Sequence, residues 1–176
     1  MKYFFPALLL LLLGTACSPR LTPFTEQLYD DFGWSQDDLK QIQFYVSRDI
    51  DMKRQLNAGA SRIEGGKIRI ENGREVEVIT IQRGTPGVFL FSPKADRFAV
   101  SFESDDSQFL MFGPSPVSSG RFVLRGDFNR NSGLVTYGDR KYSVDNTAGY
   151  ASLLVDLRKI TKTQRKSRVA RGRKID

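Results

Sequence analysis

Apolar and polar residues follow two different periods along this 176-residue chain, with the change near residue 43. Before it, Phe24, Leu28 and Phe32 recur every four residues, which is the spacing of one face of an α-helix. Thr22–Pro23 has the residues that favour a helix start, with Thr22 as the N-cap, and Gly33 favours a helix end. We therefore predict a helix from Pro23 to Phe32.

A second short helix is predicted to begin at Ser35, because Asp38 follows three residues later in a weak form of the capping box. Leu39 and Ile42 would be its inward-facing pair. We interpret Trp34 and the apolar side chains of both helices as core residues.

From residue 43 to residue 56 the period is two, which predicts one long half-buried strand, with a bend in its middle as an option. Arg48 and Arg54 fall on the apolar side of this strand. A buried arginine needs a partner, so each lies near a sheet edge, pairs with an acid, or packs its stem and keeps its head in water. The residues predicted to face inward are Phe44, Val46, Ile50, Met52 and Leu56.

Residues 67–82 predict a β-hairpin. A two-residue turn would set Ile70 opposite Glu75, an apolar residue against a charge. We predict instead a three-residue loop, 71–73, with Gly73 in the left-handed conformation. The pairs that follow are Ile68 with Val76, Lys67 with Glu77, and Arg69 with Glu75.

Further strands follow at intervals near ten residues, separated by Gly, Pro, Asp and Asn. The last of them has enough leucine to be read as a helix as well. With about ten short strands in all, the chain is predicted to be all-β, a meander-type barrel or a sandwich with two short N-terminal helices. The strands after the hairpin are predicted at 88–91, 97–103, 109–112, 121–126, 134–137, 141–144 and 150–157.

Composition limits the chemistry. The chain is 40% hydrophobic, with thirteen Phe, no His and one Cys, Cys17. These counts exclude a Ser-His-Asp triad, a Cys-His pair and histidine-ligated zinc. They also exclude disulfides within the chain. We predict no catalytic residue, no cofactor and no metal site.

Positive charge is concentrated at the C-terminus. Residues 158–176 hold nine Lys or Arg and one acid, whereas residues 17–157 hold 17 bases and 19 acids. We predict a single β-rich domain at 23–159 and a basic, flexible tail at 160–176. The cations predicted to bind an anionic partner are Arg158, Lys159, Lys162, Arg165, Lys166, Arg168, Arg171, Arg173 and Lys174.

The first seventeen residues, MKYFFPALLLLLLGTAC, have the layout of an export signal. Lys2 gives a positive start, an apolar run follows, and small residues precede Cys17. The run is too short to span a bilayer, which needs about 20 residues. Cleavage is therefore expected rather than a transmembrane helix.

The segment LLGTAC resembles the lipobox of bacterial lipoproteins. That resemblance implies cleavage of residues 1–16 and a diacylglyceryl thioether on Cys17, usually with a third, amide-linked chain. Residues 17–22 would then form a lipidated tether. For Gram-negative bacteria, Ser18 after the cysteine implies sorting to the outer membrane, and the absence of an acidic cluster after Cys17 implies that the domain faces the periplasm. An exported protein of this kind is not expected to bind nucleic acid, despite its basic tail.

Two polar clusters have the residue types of a catalytic or a calcium-binding site. Glu103, Asp105 and Asp106 follow a strand, where paired carboxylates could cleave a glycosidic bond. Asp127, Asn129 and Asn131 resemble the start of a calcium loop. No Glu stands at the twelfth position of that loop. We interpret both clusters as polar turns between strands.

The sequence predicts a non-enzymatic, lipid-anchored envelope protein that acts as an interaction or assembly module. Its partners would be the membrane, through Cys17, and anionic lipid, peptidoglycan or an envelope protein, through the tail. The alternatives are a carboxylate-dependent enzyme acting on envelope glycans and a binder of a small apolar ligand.

Overall fold

The protein, as a computed structural model, is described over residues 20–56, 67–71 and 74–160. These ranges contain two short helices, α1 (Glu26–Phe32) and α2 (Gln36–Leu39), and thirteen strands. The strands are β1 (Thr22–Pro23), β2 (Gln43–Val46), β3 (Ile50–Gln55), β4 (Lys67–Glu71), β5 (Arg74–Ile81), β6 (Pro86–Lys94), β7 (Arg97–Ser101), β8 (Phe109–Ser115), β9 (Arg121–Leu124), β10 (Asp127–Phe128), β11 (Ser132–Tyr137), β12 (Arg140–Asp145) and β13 (Leu153–Val155).

The strands form two sheets in which all pairs are antiparallel. Sheet A has the order β1-β13-β2-β6-β7-β8-β9, and sheet B has the order β10-β11-β12-β3-β5-β4. This confirms the all-β prediction. Of the two architectures left open, the described residues favour a sandwich-like meander over a closed barrel.

Sheet A curls so that its last strand, β9, comes back to the strand at its start. Two isolated bridges, Thr25 with Arg121 and Val123 with Ser152, join the two ends. The backbone N–H of Phe122 also donates to the carbonyl of Phe24 at 3.0 Å. The polar backbone groups at these sheet edges are thereby partly satisfied within the chain.

The predicted long strand at 43–56 is two strands, β2 and β3, that belong to different sheets. Val46 and Ile50 are both fully buried, one in each sheet. The three residues between them carry the chain across, so the bend is a change of sheet. The inward-facing assignment of the apolar residues is confirmed, since all five are at least 93% buried. Period two therefore predicted burial correctly, but it does not reveal where a strand changes sheet.

The first helix begins later than predicted. Thr22 is not its N-cap, because Thr22–Pro23 pairs with β13 instead. The side-chain oxygen of Thr25 caps α1 by accepting from the N–H of Leu28 at 3.1 Å. Proline is tolerated at this position because β1 is an edge strand. Phe24 is fully buried, whereas Phe32 is 36% exposed and stacks on Trp34.

The predicted end of α1 and the whole of the second helix are confirmed. Gly33 has φ 59° and ψ 39°, the left-handed conformation that glycine adopts without strain. Ser35 and Asp38 form a reciprocal capping box, with Asp38 accepting from the backbone N–H of Ser35 at 3.0 Å. Leu39 and Ile42 are buried.

The hairpin register was predicted wrongly. The pairs are Ile68 with Glu77 and Ile70 with Glu75, so only residues 72–73 separate the strands. The predicted conformation of Gly73 lies outside the described residues. β4 is an edge strand whose isoleucines are 45% and 78% exposed, so apolar matching does not set its register. The partner strand is instead aligned by β3, through Met52 opposite Ile79.

Aromatic rings fill the interior. Phe24 contacts Phe44 at 5.2 Å and Phe122 at 5.0 Å between ring centroids, and Phe98 lies 4.6 Å from Phe122. Aromatic pairs in such geometries stabilise a core beyond the area that they bury. Buried residues from both sheets and from α2 belong to one hydrophobic cluster.

Candidate functional site

The two ends of the domain lie side by side. β1 and β13 pair with Thr22 opposite Val155 and Pro23 opposite Leu154. Because the pair is antiparallel, the chain before Thr22 and the chain after Val155 lead away in the same direction. We call this end of the molecule the terminal face and define it by Arg20, Leu21 and residues 156–159.

Asp156 organises the chain as it leaves β13. Its carboxylate, only 4% exposed, accepts from the backbone N–H of Arg158 at 3.1 Å and from Nε of the same residue at 3.3 Å. The side-chain bond from Arg158, outweighing the effect of burial, lowers the pKa of the Asp156 carboxyl. The backbone carbonyl of Asp156 accepts from the N–H groups of Lys159 and Ile160. Asp156 thus caps a helical segment at 157–160.

The predicted boundary between domain and tail is crossed by this helical segment. Ile160 is 7% exposed and belongs to the hydrophobic cluster. At the other end, Thr22 forms a strand pair rather than part of a tether. The packed domain thus includes both residues.

Two of the predicted tail cations are visible in the structure, and both are exposed. Arg158 is engaged with Asp156, and Lys159 lies beside it on the terminal face. The other seven tail cations, the predicted flexibility of the tail and the lipidation site Cys17 lie outside the described residues.

The acidic cluster after β7 serves the local fold. Oε1 of Glu103 accepts from the hydroxyl of Tyr137 at 2.7 Å, and the carboxylate of Asp105 accepts from the N–H of Ser107 at 2.8 Å. Burial, and then the bond to and charge of Glu103, raise the pKa of the Tyr137 hydroxyl far above its usual value. The bonds from Ser107 lower the pKa of Asp105, which is opposite to the shift that a general acid needs.

The calcium-like sequence forms a polar turn. Oδ1 of Asn129 accepts from the N–H groups of Asn131 and Ser132, each at 2.9 Å. That oxygen is therefore occupied by backbone donors, as in other Asx turns. Across residues 20–56, 67–71 and 74–160, no three His, Cys, Asp or Glu residues are grouped as metal ligands would be.

The sequence did not reveal that Glu77 is fully buried. Its Oε2 accepts from Nη2 of Arg54 at 2.8 Å and from the hydroxyl of Tyr142 at 3.2 Å. Burial by itself lowers the pKa of Arg54, but the bond to Glu77 and its charge raise it overall. Of the three environments that the sequence left open for Arg54, the structure therefore shows the pair with an acid. Alternation could have pointed to this pair, because Arg54 falls on the apolar side of β3 and Glu77 shares its face of β5 with Ile79 and Ile81.

Comparison with protein-family models, with curated proteins and with solved structures finds no match to this chain. In the described part of the chain, no helix combines the length and the hydrophobicity needed to cross a bilayer.

Proposed function

We propose that this protein is a lipid-anchored interaction module of the bacterial cell envelope, attached to one membrane at two points. The first point is the acylated Cys17, and the second is the basic tail after Ile160. The domain faces the periplasm from the outer membrane, and it holds or recruits a partner without catalysing a reaction.

The terminal face is the observation that carries this proposal. Thr22 lies five residues after Cys17, which at full extension is a distance of roughly 18 Å. Val155 lies directly beside Thr22, Arg158 and Lys159 follow within four residues, and the tail begins after Ile160. An anchor at Cys17 therefore brings the start of the tail close to the same lipid surface.

Electrostatics supports contact between the tail and anionic lipid. Seven Lys or Arg lie between Lys162 and Lys174, and the acid nearest to them is Asp176. Each cation near a negatively charged surface contributes about 1 kcal/mol. Two or more acyl chains suffice for stable attachment, so the basic segment adds a second contact with the same surface.

The anchor is tested by fractionating cells that express the full chain with Cys17→Ser. We expect this variant to be released from membranes by high salt, whereas the unaltered protein stays bound. Retention of the variant in high salt would show that Cys17 is not the anchor.

The tail is tested in the Cys17→Ser background, with and without truncation after Ile160. Flotation with vesicles containing anionic lipid should show at least about a hundredfold weaker partitioning for the truncated chain at low salt. Replacing the exposed Arg83, which lies outside the tail, by Gln is the matched control. Equal binding of the truncated and full chains would refute the tail contact.

A further inference from the structure

A cleft of about 330 Å³ opens between the 3₁₀ turn Pro116–Ser118, the end of β9 and the 3₁₀ helix Asn146–Tyr150. Its volume is at the small end of the range for ligand-binding pockets. The residues that give it chemical character are Arg125, Phe128, Asn129, Arg130, Asn146 and Tyr150.

The cleft is positively charged. Two arginines line it, and among the described residues that form its walls there is no carboxylate. Arg130 is exposed, whereas Arg125 is partly buried and donates from its guanidinium to the carbonyl of Pro114. Burial and the nearby charge of Arg97 lower the pKa of Arg125, so an anion in the cleft would stabilise its charged form. A cleft with one sign of charge concentrates ligands of the opposite sign.

An aromatic platform stands at the rim. Tyr150 is 60% exposed, although a tyrosine is normally more buried. The guanidinium of Arg48 lies 5.9 Å from the centroid of its ring and donates to the carbonyl of Thr147 at 3.3 Å. Arg48 thus contacts the ring, and Tyr150 is one of the residues that line the cleft. The apolar C–H face of a pyranose ring can pack against such a surface.

Amide groups complete the lining. Oδ1 of Asn129 is occupied by backbone donors, so its Nδ2 is the group left to bind a ligand. Nδ2 of Asn146 donates to the carbonyl of Arg130 at 2.6 Å, which turns its Oδ1 to other donors. One donor and one acceptor suit the vicinal hydroxyls of a sugar.

The position of the cleft favours a glycan over the lipid of the anchoring membrane. Tyr150 precedes β13, whereas the terminal face begins after its last residue, Val155. Val155 lies five residues after Tyr150, which in extended chain is a distance of roughly 16 Å. The cleft therefore lies at the end of β13 that is far from the proposed membrane contacts.

We propose that this cleft binds an anionic glycan of the cell envelope, one or two carboxylate-bearing sugar units at a time. Arg130 binds the carboxylate, with Arg125 adding positive charge beside it, Tyr150 packs on a ring face, and the two asparagines bind hydroxyls. The inner core of lipopolysaccharide carries such sugars, and peptidoglycan presents its sugar rings beside the free carboxylates of the stem peptides. The assignment rests on the proposed envelope location but not on Cys17 or the tail.

The test is binding of the full chain carrying Cys17→Ser to purified peptidoglycan sacculi and, separately, to purified lipopolysaccharide. Tyr150→Ala and Arg130→Gln should each weaken binding to one of these polymers about tenfold or more. Tyr150→Phe, which keeps the ring, should bind nearly as the parent does. Arg83→Gln, an exposed arginine outside the cleft, is the charge control and should leave binding unchanged.

The proposal is overturned if the parent binds neither polymer or if both cleft variants bind as the parent does. Loss of binding to anionic-lipid vesicles on Tyr150→Ala would assign the cleft to lipid headgroups instead. Displacement of the parent from sacculi by poly-glutamate, but not by a soluble muropeptide, would assign it to an acidic peptide. Truncation after Ile160 distinguishes this site from the tail, since it should affect vesicle binding and spare the cleft.

Discussion

Two buried polar interactions matter most at the scale of single residues. One joins Arg54, Glu77 and Tyr142 inside sheet B, and the other joins Tyr137 to Glu103. Oε1 of Glu77 has no hydrogen-bond partner among the described residues. The stability of the folded protein therefore depends on Arg54 as the countercharge of Glu77, because an unpaired carboxylate is costly to keep out of water.

Arg54→Met should therefore lower the free energy of unfolding by about 3 kcal/mol, since it leaves the Glu77 carboxylate without its countercharge. The double variant Arg54→Met/Glu77→Leu should recover most of that loss, because it removes both charges. Urea denaturation measures both effects. A double variant no more stable than Arg54→Met would contradict this account.

Tyr137 predicts a dependence of stability on alkaline pH. An unfolded tyrosine ionises near pH 10, and the folded protein holds its Tyr137 proton to higher pH. Between the pKa values of the unfolded and the folded state, the native state binds more protons than the unfolded state. The free energy of unfolding therefore falls by up to about 1.4 kcal/mol for each unit of rise in pH.

Tyr137→Phe should reduce this alkaline loss, and Glu103→Gln should reduce it partly by removing the carboxylate charge. Urea unfolding at pH 8 and pH 11 compares the three proteins. If Tyr137→Phe loses as much stability as the parent between these values, Tyr137 is not the group responsible.

At the scale of helices and strands, the ends that could be predicted are those set by a residue conformation or a side-chain hydrogen bond within a few residues. Gly33 and the box of Ser35 with Asp38 were predictable for that reason. Thr22–Pro23 was misread because its partner, β13, lies more than 130 residues away along the chain. The edge hairpin was misread because the register of β5 is set by β3 rather than by β4.

At the end of α1, Gly33→Ala should cost about 1 kcal/mol of stability, because φ is positive there. An added Cβ would meet no atom within 4 Å, so the cost is one of backbone conformation. Gly33→Asn should cost clearly less, since asparagine tolerates this region. Equal stability of the alanine variant and the parent, by chemical denaturation, would contradict the assignment.

For the whole molecule, the pairing of β1 with β13 is decisive, because it brings the first and last described segments to one face. Ile160 anchors the last of these segments in the hydrophobic cluster. The tail should therefore be divided from the domain after Ile160, and not before it.

A chain that ends at Leu157 should be about 2 kcal/mol or more less stable than one that ends at Ile160, because it lacks a buried isoleucine. Both chains lack the tail, so only residues 158–160 differ. Thermal and urea unfolding provide the comparison. Equal stability would show that Ile160 does not contribute to the core.

The sequence by itself determined the all-β class, the burial of the apolar residues at 43–56, the end of α1 at Gly33 and the capping box of α2, because these depend on period and on neighbours along the chain. It is also the whole basis for the export signal, the lipidation prediction and the tail charge. Only the tertiary structure decided that strand 43–56 divides between two sheets, that Glu77 is buried with Arg54, and that Tyr150 and Arg130 share a cleft. Each of these depends on contacts between residues far apart in the chain, which burial and backbone hydrogen bonding select together. The same long-range pairing brings Arg20 and Leu21 beside residues 156–159 at one end of the domain, with the cleft at the other.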